Sequence, residues 1–324
     1  MDCEYTDRCG YLSLMTFPHF VRRRAGALSA VALVVTWSSG FVGAELGSHA
    51  HAAPLTLLGW RFVVLASLLV VVSRLRRTPW PRWRAWRRQT LIGLLCQATY
   101  LLLVFEGVRH GVPGGTAALI AALQPLLVAT VAGSLLGEHS SPRMWLGMAL
   151  GLAGVALVVS GDLGVTHAPL WAYLLPTVGM LCLAGGTVLE RRLRPPEALL
   201  ETIMMQAVVT ATVLMALALA FGQATPPATL EFWRAVAWLI VLASLGGYVL
   251  YVFVARTQGA TVVSTLLFLT PPTTMFWVYL MFGDRITWAG LGGLAISGVG
   301  VWLALSGRRA ARERRPLETA VRRT

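Results

Sequence analysis

Uncharged, strongly apolar windows close to the roughly 20 residues that a helix needs to cross a bilayer recur along the whole chain. Only helices and closed barrels satisfy their backbone polar groups inside hydrocarbon, so this recurrence constrains the fold more than any single motif. The candidate spans are Ala25–Ala44, Leu55–Val72, Gln89–Phe105, Pro113–Leu136 and Met144–Ser160. A second set follows at Leu170–Leu189, Thr202–Phe221, Ala235–Ala255, Thr261–Phe282 and Trp288–Ser306. Arg61 is the one charged residue within them. The expected fold is an all-α polytopic membrane protein of about ten transmembrane helices. A polar tail covers residues 1–24 and a basic tail residues 307–324. Ala25–Ala44 is long enough to span and lacks a clear small-residue cleavage site, so it reads as a retained first helix.

Charge agrees with that picture once it is located. Only 13% of the residues are charged, against roughly 25% in soluble chains. The formal charge of +13 is carried entirely by Arg, with no Lys in the chain. Arg74, Arg76, Arg77, Arg82, Arg84, Arg87 and Arg88 form one acid-free stretch. Arg308, Arg309, Arg312, Arg314, Arg315, Arg322 and Arg323 crowd the C-terminal tail against Glu313 and Glu318. The remainder is nearly neutral, which excludes a soluble enzyme and a nucleic-acid partner. Placing Arg22–Arg24, the 74–88 loop, Arg191, Arg192, Arg194 and the tail on one side satisfies the positive-inside rule. Both termini are then cytoplasmic, in the cell membrane, and the Arg-rich loop and tail face anionic lipid headgroups.

The two halves of the chain resemble each other. Tyr100 to Phe105, reaching Gly111, matches Tyr248 to Phe253, reaching Gly259. Gln124-Pro125 aligns with Thr270-Pro271, and Leu136-Gly137-Glu138 with Phe282-Gly283-Asp284. Each half ends in a Gly-rich helix, with Gly147, Gly151 and Gly154 in one and Gly290, Gly293 and Gly298 in the other. The repeats cover residues 25–160 and 170–306, five spans each, and an odd number makes them enter the membrane from opposite sides. Inverted repeats of this kind build secondary transporters with a midplane site.

Several local patterns resemble the EamA family of the drug/metabolite transporter superfamily. Trp37-Ser38-Ser39-Gly40-Phe41-Val42 is similar to the family's Trp-Gly-Ser-x-Phe-Val, with Ser38 in place of Gly. Arg61-Phe62, the mid-helix Pro125 and Pro271, and Gly137-Glu138 fit the same pattern, whereas Glu45 stands where members often carry Lys. The resemblance implies ten helices in two five-helix EamA repeats and transport of small metabolites or drugs. The expected function is a secondary transporter, in the export direction, whose repeats rock about a midplane cavity by alternating access. The competing class is a non-transporting multipass protein, an intramembrane enzyme or a scaffold.

Candidate cavity residues are Trp37, Tyr100, Gln124, Pro125, Tyr248, Thr270 and Pro271. Proline inside an apolar span frees carbonyls and kinks the helix, which either exposes polar groups to a cavity or is purely structural. The aromatics either stack on an amphipathic or cationic solute or pack the core. Arg61, at membrane depth, either meets Glu45 or Glu106 in an outer gate or snorkels to the headgroups. Glu106 is the carboxylate best placed for proton coupling. Gly147-x-x-x-Gly151 reads as close packing within the chain or as a homodimer seam. No catalytic residue, metal-ligand set or cofactor motif is found, and no P-loop.

Overall fold

The computed structural model describes residues 19–128, 142–162, 166, 168–193, 196–258, 266–283, 286–300 and 302–303. No strand occurs among them. The first repeat supplies α1 (His19–His49), α2 (Pro54–Leu75), α3 (Trp83–Arg109), α4 (Gly114–Val128, interrupted after Ala121) and α5 (Pro142–Asp162). The second supplies α6 (Leu174–Leu193, entered through a 3-10 turn at Leu170–Tyr173), α7 (Leu199–Ala220), α8 (230–258), α9 (Thr270–Phe282) and α10 (Trp288–Gly300). Six of these, α1–α3 and α6–α8, are long and apolar enough to cross a membrane, with α6 counted from Leu170. Parts of the expected fourth and ninth spans, residues 129–136 and 261–265, lie outside the described residues. So do Gly137-Glu138, the tail beyond residue 303 and residues 1–18.

Helix ends follow local chemistry. Pro54 opens α2 in the first turn, where its missing N–H costs nothing. Gly111 (φ 93°) and Gly283 (φ 76°) take left-handed backbone just after α3 and α9, a conformation that glycine reaches without steric cost. The Val112 N–H then closes back on the Gly107 carbonyl at 3.1 Å.

Several helix contacts recur when each helix is exchanged for its counterpart in the other repeat. α1 packs on α8 as α6 packs on α3, and α1 on α9 as α6 on α4. α2 pairs most extensively with its own counterpart α7, and α4 lies against α9. The α2–α7 pair is antiparallel: at the start of α2, Thr56 Oγ1 donates to the Gln223 carbonyl (2.5 Å) and Trp60 Nε1 to the Ala224 carbonyl (2.9 Å), just past the end of α7. A twofold axis crossing the helices produces such pairs, so the second repeat is inverted relative to the first. These contacts join one repeat to the other, so the repeats are interleaved.

The Gly-rich helices show the same symmetry. α5 and α10 run antiparallel, backbone on backbone. A Cβ added at Gly154 would lie 2.5 Å from the Gly293 carbonyl oxygen and 2.7 Å from Ser297 N. One at Gly300 would lie 2.6 Å from Gly147 O and from Gly151 N. Ser297 Oγ donates to the Gly151 carbonyl at 3.1 Å across the seam. The Gly147-x-x-x-Gly151 stripe is thus spent within the chain, which removes the homodimer seam as its reading. The main apolar core lies around α2 and α7, where Leu57, Leu58, Phe62, Met204, Met205 and Leu214 are almost completely enclosed.

Candidate functional site

Two backbone irregularities recur at equivalent places in the repeats. α3 widens into a π-helical stretch over Leu94–Thr99, directly before Tyr100. α8 does so over Leu239–Gly246, two residues before Tyr248. The fourth segment breaks into a turn at 122–123 before Gln124-Pro125, and the ninth breaks at 268–269 before Thr270-Pro271. π segments and broken helices free backbone groups and gather where a membrane protein meets solute or water. The prolines differ from expectation here. They do not kink a continuous helix; they sit in the first turn of a second half-helix, after the break.

Each break is tied to the first helix of one repeat. Ser38 Oγ on α1 approaches the Thr270 carbonyl at 3.4 Å. In the other repeat, Gln124 Nε2 donates to Thr187 Oγ1 on α6 at 2.9 Å. Ser38, where the family pattern has Gly, thus has a use. Around the first break, Trp37 stacks on Tyr251 with ring centroids 5.4 Å apart, and Tyr248 lies 6.3 Å from Tyr251. Thr270 Oγ1 and, one turn on, Thr274 Oγ1 are buried and have no hydrogen-bond partner among the described residues. Pro271 is buried, and Pro125, at the other break, is half-buried. Tyr100 is half-buried against the main core, with its carbonyl facing Gly179 of α6. The structure thus joins Trp37 and Tyr248 through Tyr251 and ties Thr270-Pro271 to Ser38, the neighbour of Trp37, while Gln124-Pro125 has the equivalent tie to α6.

The expected outer gate is not assembled. Glu45 is buried, and its Oε1 accepts from the Gly114 N–H at 2.6 Å, capping the start of α4. Glu106 is half-buried, within 3.6 Å of Arg109 Nη1 and 3.9 Å of His110 Nε2. Arg61 is also buried, at 6% exposure, so it does not snorkel. It donates from Nε and Nη2 to Ser244 Oγ, at 3.3 and 3.0 Å, and meets neither carboxylate. At the same end of the bundle His49 stacks face to face on Phe282, with centroids 4.4 Å apart, and Gly115 closes on Met275. That end is shut.

The opposite end holds a polar chain that sequence reasoning missed. Gln97 Nε2 donates to Gln206 Oε1 (2.7 Å), Gln206 Nε2 to Gln89 Oε1 (2.9 Å), and Gln89 Nε2 to Glu197 Oε2 (3.1 Å). Arg88 closes the chain as an ion pair with Glu197. Burial raises the Glu197 pKa, but hydrogen bonds from Arg88 and Gln89 outweigh it and hold the group below the usual carboxylate range. The available signal was three Gln inside or beside apolar spans, where an amide needs a buried partner. Ser244 and Tyr251 were likewise visible as polar groups at membrane depth.

The EamA-like transporter family profile matches the chain twice, over residues 24–160 and 170–306. The "Uncharacterized inner membrane transporter YedA" of Escherichia coli (strain K12) is 27% identical over 280 residues, 86% of each chain. The "Probable terminal-alkyne amino-acid exporter" of Streptantibioticus cattleyicolor is 28% identical over 299 residues, covering 90% of this chain and 97% of that one. The "Probable amino-acid metabolite efflux pump" of Salmonella typhimurium (strain LT2) is 21% identical over 305 residues, 90% of this chain and 98% of that one. A solved structure titled "Crystal structure of protein" superposes with a TM-score of 0.61 at 20% identity, over 89% of this chain and 99% of that one. At that identity the likeness concerns the fold alone.

Proposed function

The chain belongs to the EamA-like transporter family, and we propose that this membrane transporter is a secondary carrier exporting a small metabolite by alternating access. All ten helical segments cross the membrane in this reading. The end bearing Arg74–Arg88 and Glu197 is cytoplasmic, and the end bearing Glu45, Gly114 and Phe282 is external. Anionic lipids meet the Arg-rich loop and tail.

The observation that carries the reading is the matched pair of helix breaks, before Gln124-Pro125 and before Thr270-Pro271, beside π segments in α3 and α8. Breaks at equivalent depth in inverted repeats are where secondary carriers place their substrate. Interleaving of the repeats favours bending at these breaks over motion of a whole repeat. The solute then lies among Trp37, Tyr100, Tyr248, Gln124 and Thr270, with the external end shut by Glu45–Gly114 and His49–Phe282 and opened in the alternate state. Export, with substrate class left to experiment, accords with the names of two relatives.

Counterflow into proteoliposomes tests this. A preloaded small metabolite should exchange with its labelled form, and Gln124→Ala or Tyr100→Ala should lower the flux at unchanged membrane abundance. Unchanged kinetics in both variants would remove the cavity assignment, and absence of flux across a broad metabolite panel would remove transport.

A further inference from the structure

Arg61 is a buried charge to which the transport reading gives no task. Nε and Nη2 both donate to a single neutral acceptor, Ser244 Oγ. That hydroxyl's own proton goes to the Leu239 carbonyl at 3.0 Å, so its lone pairs face the guanidinium. Arg61 Nη1 is buried with no hydrogen-bond partner among the described residues, and the guanidinium carbon lies 5.0 Å from the centroid of the Phe62 ring. Among the described residues Arg61 forms no ion pair, since Glu45 is engaged at Gly114 and Glu106 with Arg109 and His110.

An enclosed guanidinium with a free N–H and no counter-charge is costly. Its planar fork matches a carboxylate, with two parallel N–H bonds available to it. Its location connects it with the cavity. Ser244 lies near the end of the π stretch of α8, four residues before Tyr248 and seven before Tyr251, and Tyr248 and Tyr251 lie with ring centroids 6.3 Å apart. The acceptor that holds Arg61 therefore stands about one helical turn along α8 from Tyr248, at the edge of the aromatic group of Tyr248, Tyr251 and Trp37.

From this juxtaposition we propose that Arg61, steadied by Ser244, receives a carboxylate of the transported solute, so that the carrier selects small organic acids with an apolar body, amino acids included. The carboxylate takes Nη1, and the body lies against the aromatic stripe. Because the guanidinium is closed off in the packing described, access requires the external contacts to part. The inference rests on the transport reading, and the test separates the two.

Full-length protein in proteoliposomes is offered labelled phenylalanine against phenylalaninamide, and 3-phenylpropionate against 3-phenylpropanol, with tetraphenylphosphonium as a cation lacking any carboxylate. Wild type is expected to exchange the acid of each pair about tenfold faster or more. Arg61→Gln abolishes that preference, and Arg61→Lys retains part of it. Ligand-free Arg61→Met is expected to melt at or above the wild-type temperature, because an unpaired buried charge has been removed. The acids should raise the melting temperature of wild type and not of Arg61→Met. Equal rates within each pair, or a preference that survives in Arg61→Gln, overturns the carboxylate assignment. A ligand-free Arg61→Met that melts well below wild type and keeps its acid-induced shift also overturns it, as does exchange of tetraphenylphosphonium or the neutral solutes without the acids; in that last case transport stands. No exchange of any solute by correctly inserted protein counts against transport itself, and the carboxylate assignment falls with it.

Discussion

Glu45 offers the sharpest test of alternating access. Its carboxylate is buried at 8% exposure and accepts the Gly114 N–H at 2.6 Å, joining the external end of α1 to the start of α4. A hydrogen bond to a charged group is worth about 1.5–3 kcal/mol, and a helix N-terminus favours the anion further. If the bond exists only while the external end is shut, Glu45→Ala removes about 2 kcal/mol from that state alone. At about 1.4 kcal/mol per decade, the outward-open population rises by about 30-fold relative to the closed one. Glu45→Gln keeps an acceptor and loses the charge, so its effect should be a few-fold. The assay is the rate at which an impermeant maleimide modifies Ser48→Cys, in a variant whose four native cysteines are replaced. Ser48 is half-buried at the mouth of this end, beside Gly47 and Pro54. The expected order of rates is Glu45→Ala, then Glu45→Gln, then the parent. An unchanged rate accompanied by a lowered melting temperature would refute the reasoning, since Glu45 would then cap α4 equally in both states.

Other consequences can be measured on purified protein. Gly154→Ala forces a methyl group against the Gly293 carbonyl and Ser297 N, and overpacking against backbone should cost about 1–3 kcal/mol or more. Gly185→Ala meets nothing within 4 Å and serves as the neutral control in the same thermal unfolding series. Gln206→Leu strips a partner from both Gln97 and Gln89, the latter fully buried. It should destabilise by about 1–3 kcal/mol, and the Gln89→Leu/Gln206→Leu pair should cost less than the sum of the single changes. Glu197 has its pKa lowered in the folded chain, so its contribution is present above the unfolded carboxylate value and fades as pH falls through the folded one. The melting-temperature gap between wild type and Glu197→Gln should therefore close on acidification; a gap independent of pH would show that the ion pair contributes nothing.

What the one-dimensional chain determined was set by terms that act locally. Apolar length makes a membrane helix, because backbone groups in hydrocarbon must bond within their own segment. The Arg-free character of nine of the ten windows and the repeated Tyr and Gln/Thr-Pro positions therefore carried the helical membrane fold class and the duplication. Trp37 and Tyr248 both lie against Tyr251, the Thr270 carbonyl meets Ser38, and Gln124 makes the equivalent contact with Thr187 on α6. Partner choice was another matter. Arg61, Glu45 and Glu106 shared an inferred depth, and depth alone suggested that they pair. Helix rotation instead turned Arg61 toward Ser244 on α8 and Glu45 toward the N–H of Gly114. The Gly stripe of α5 fits a dimer seam equally well by pattern alone, and it is α10 that lies against it. The amide chain from Gln97 to Glu197 joins residues about a hundred positions apart, through a contact between α3 and α7 that no local pattern encodes. Apolar periodicity records that a face is buried, not which helix buries it; only the inverted, interleaved packing of the two repeats decides the partner.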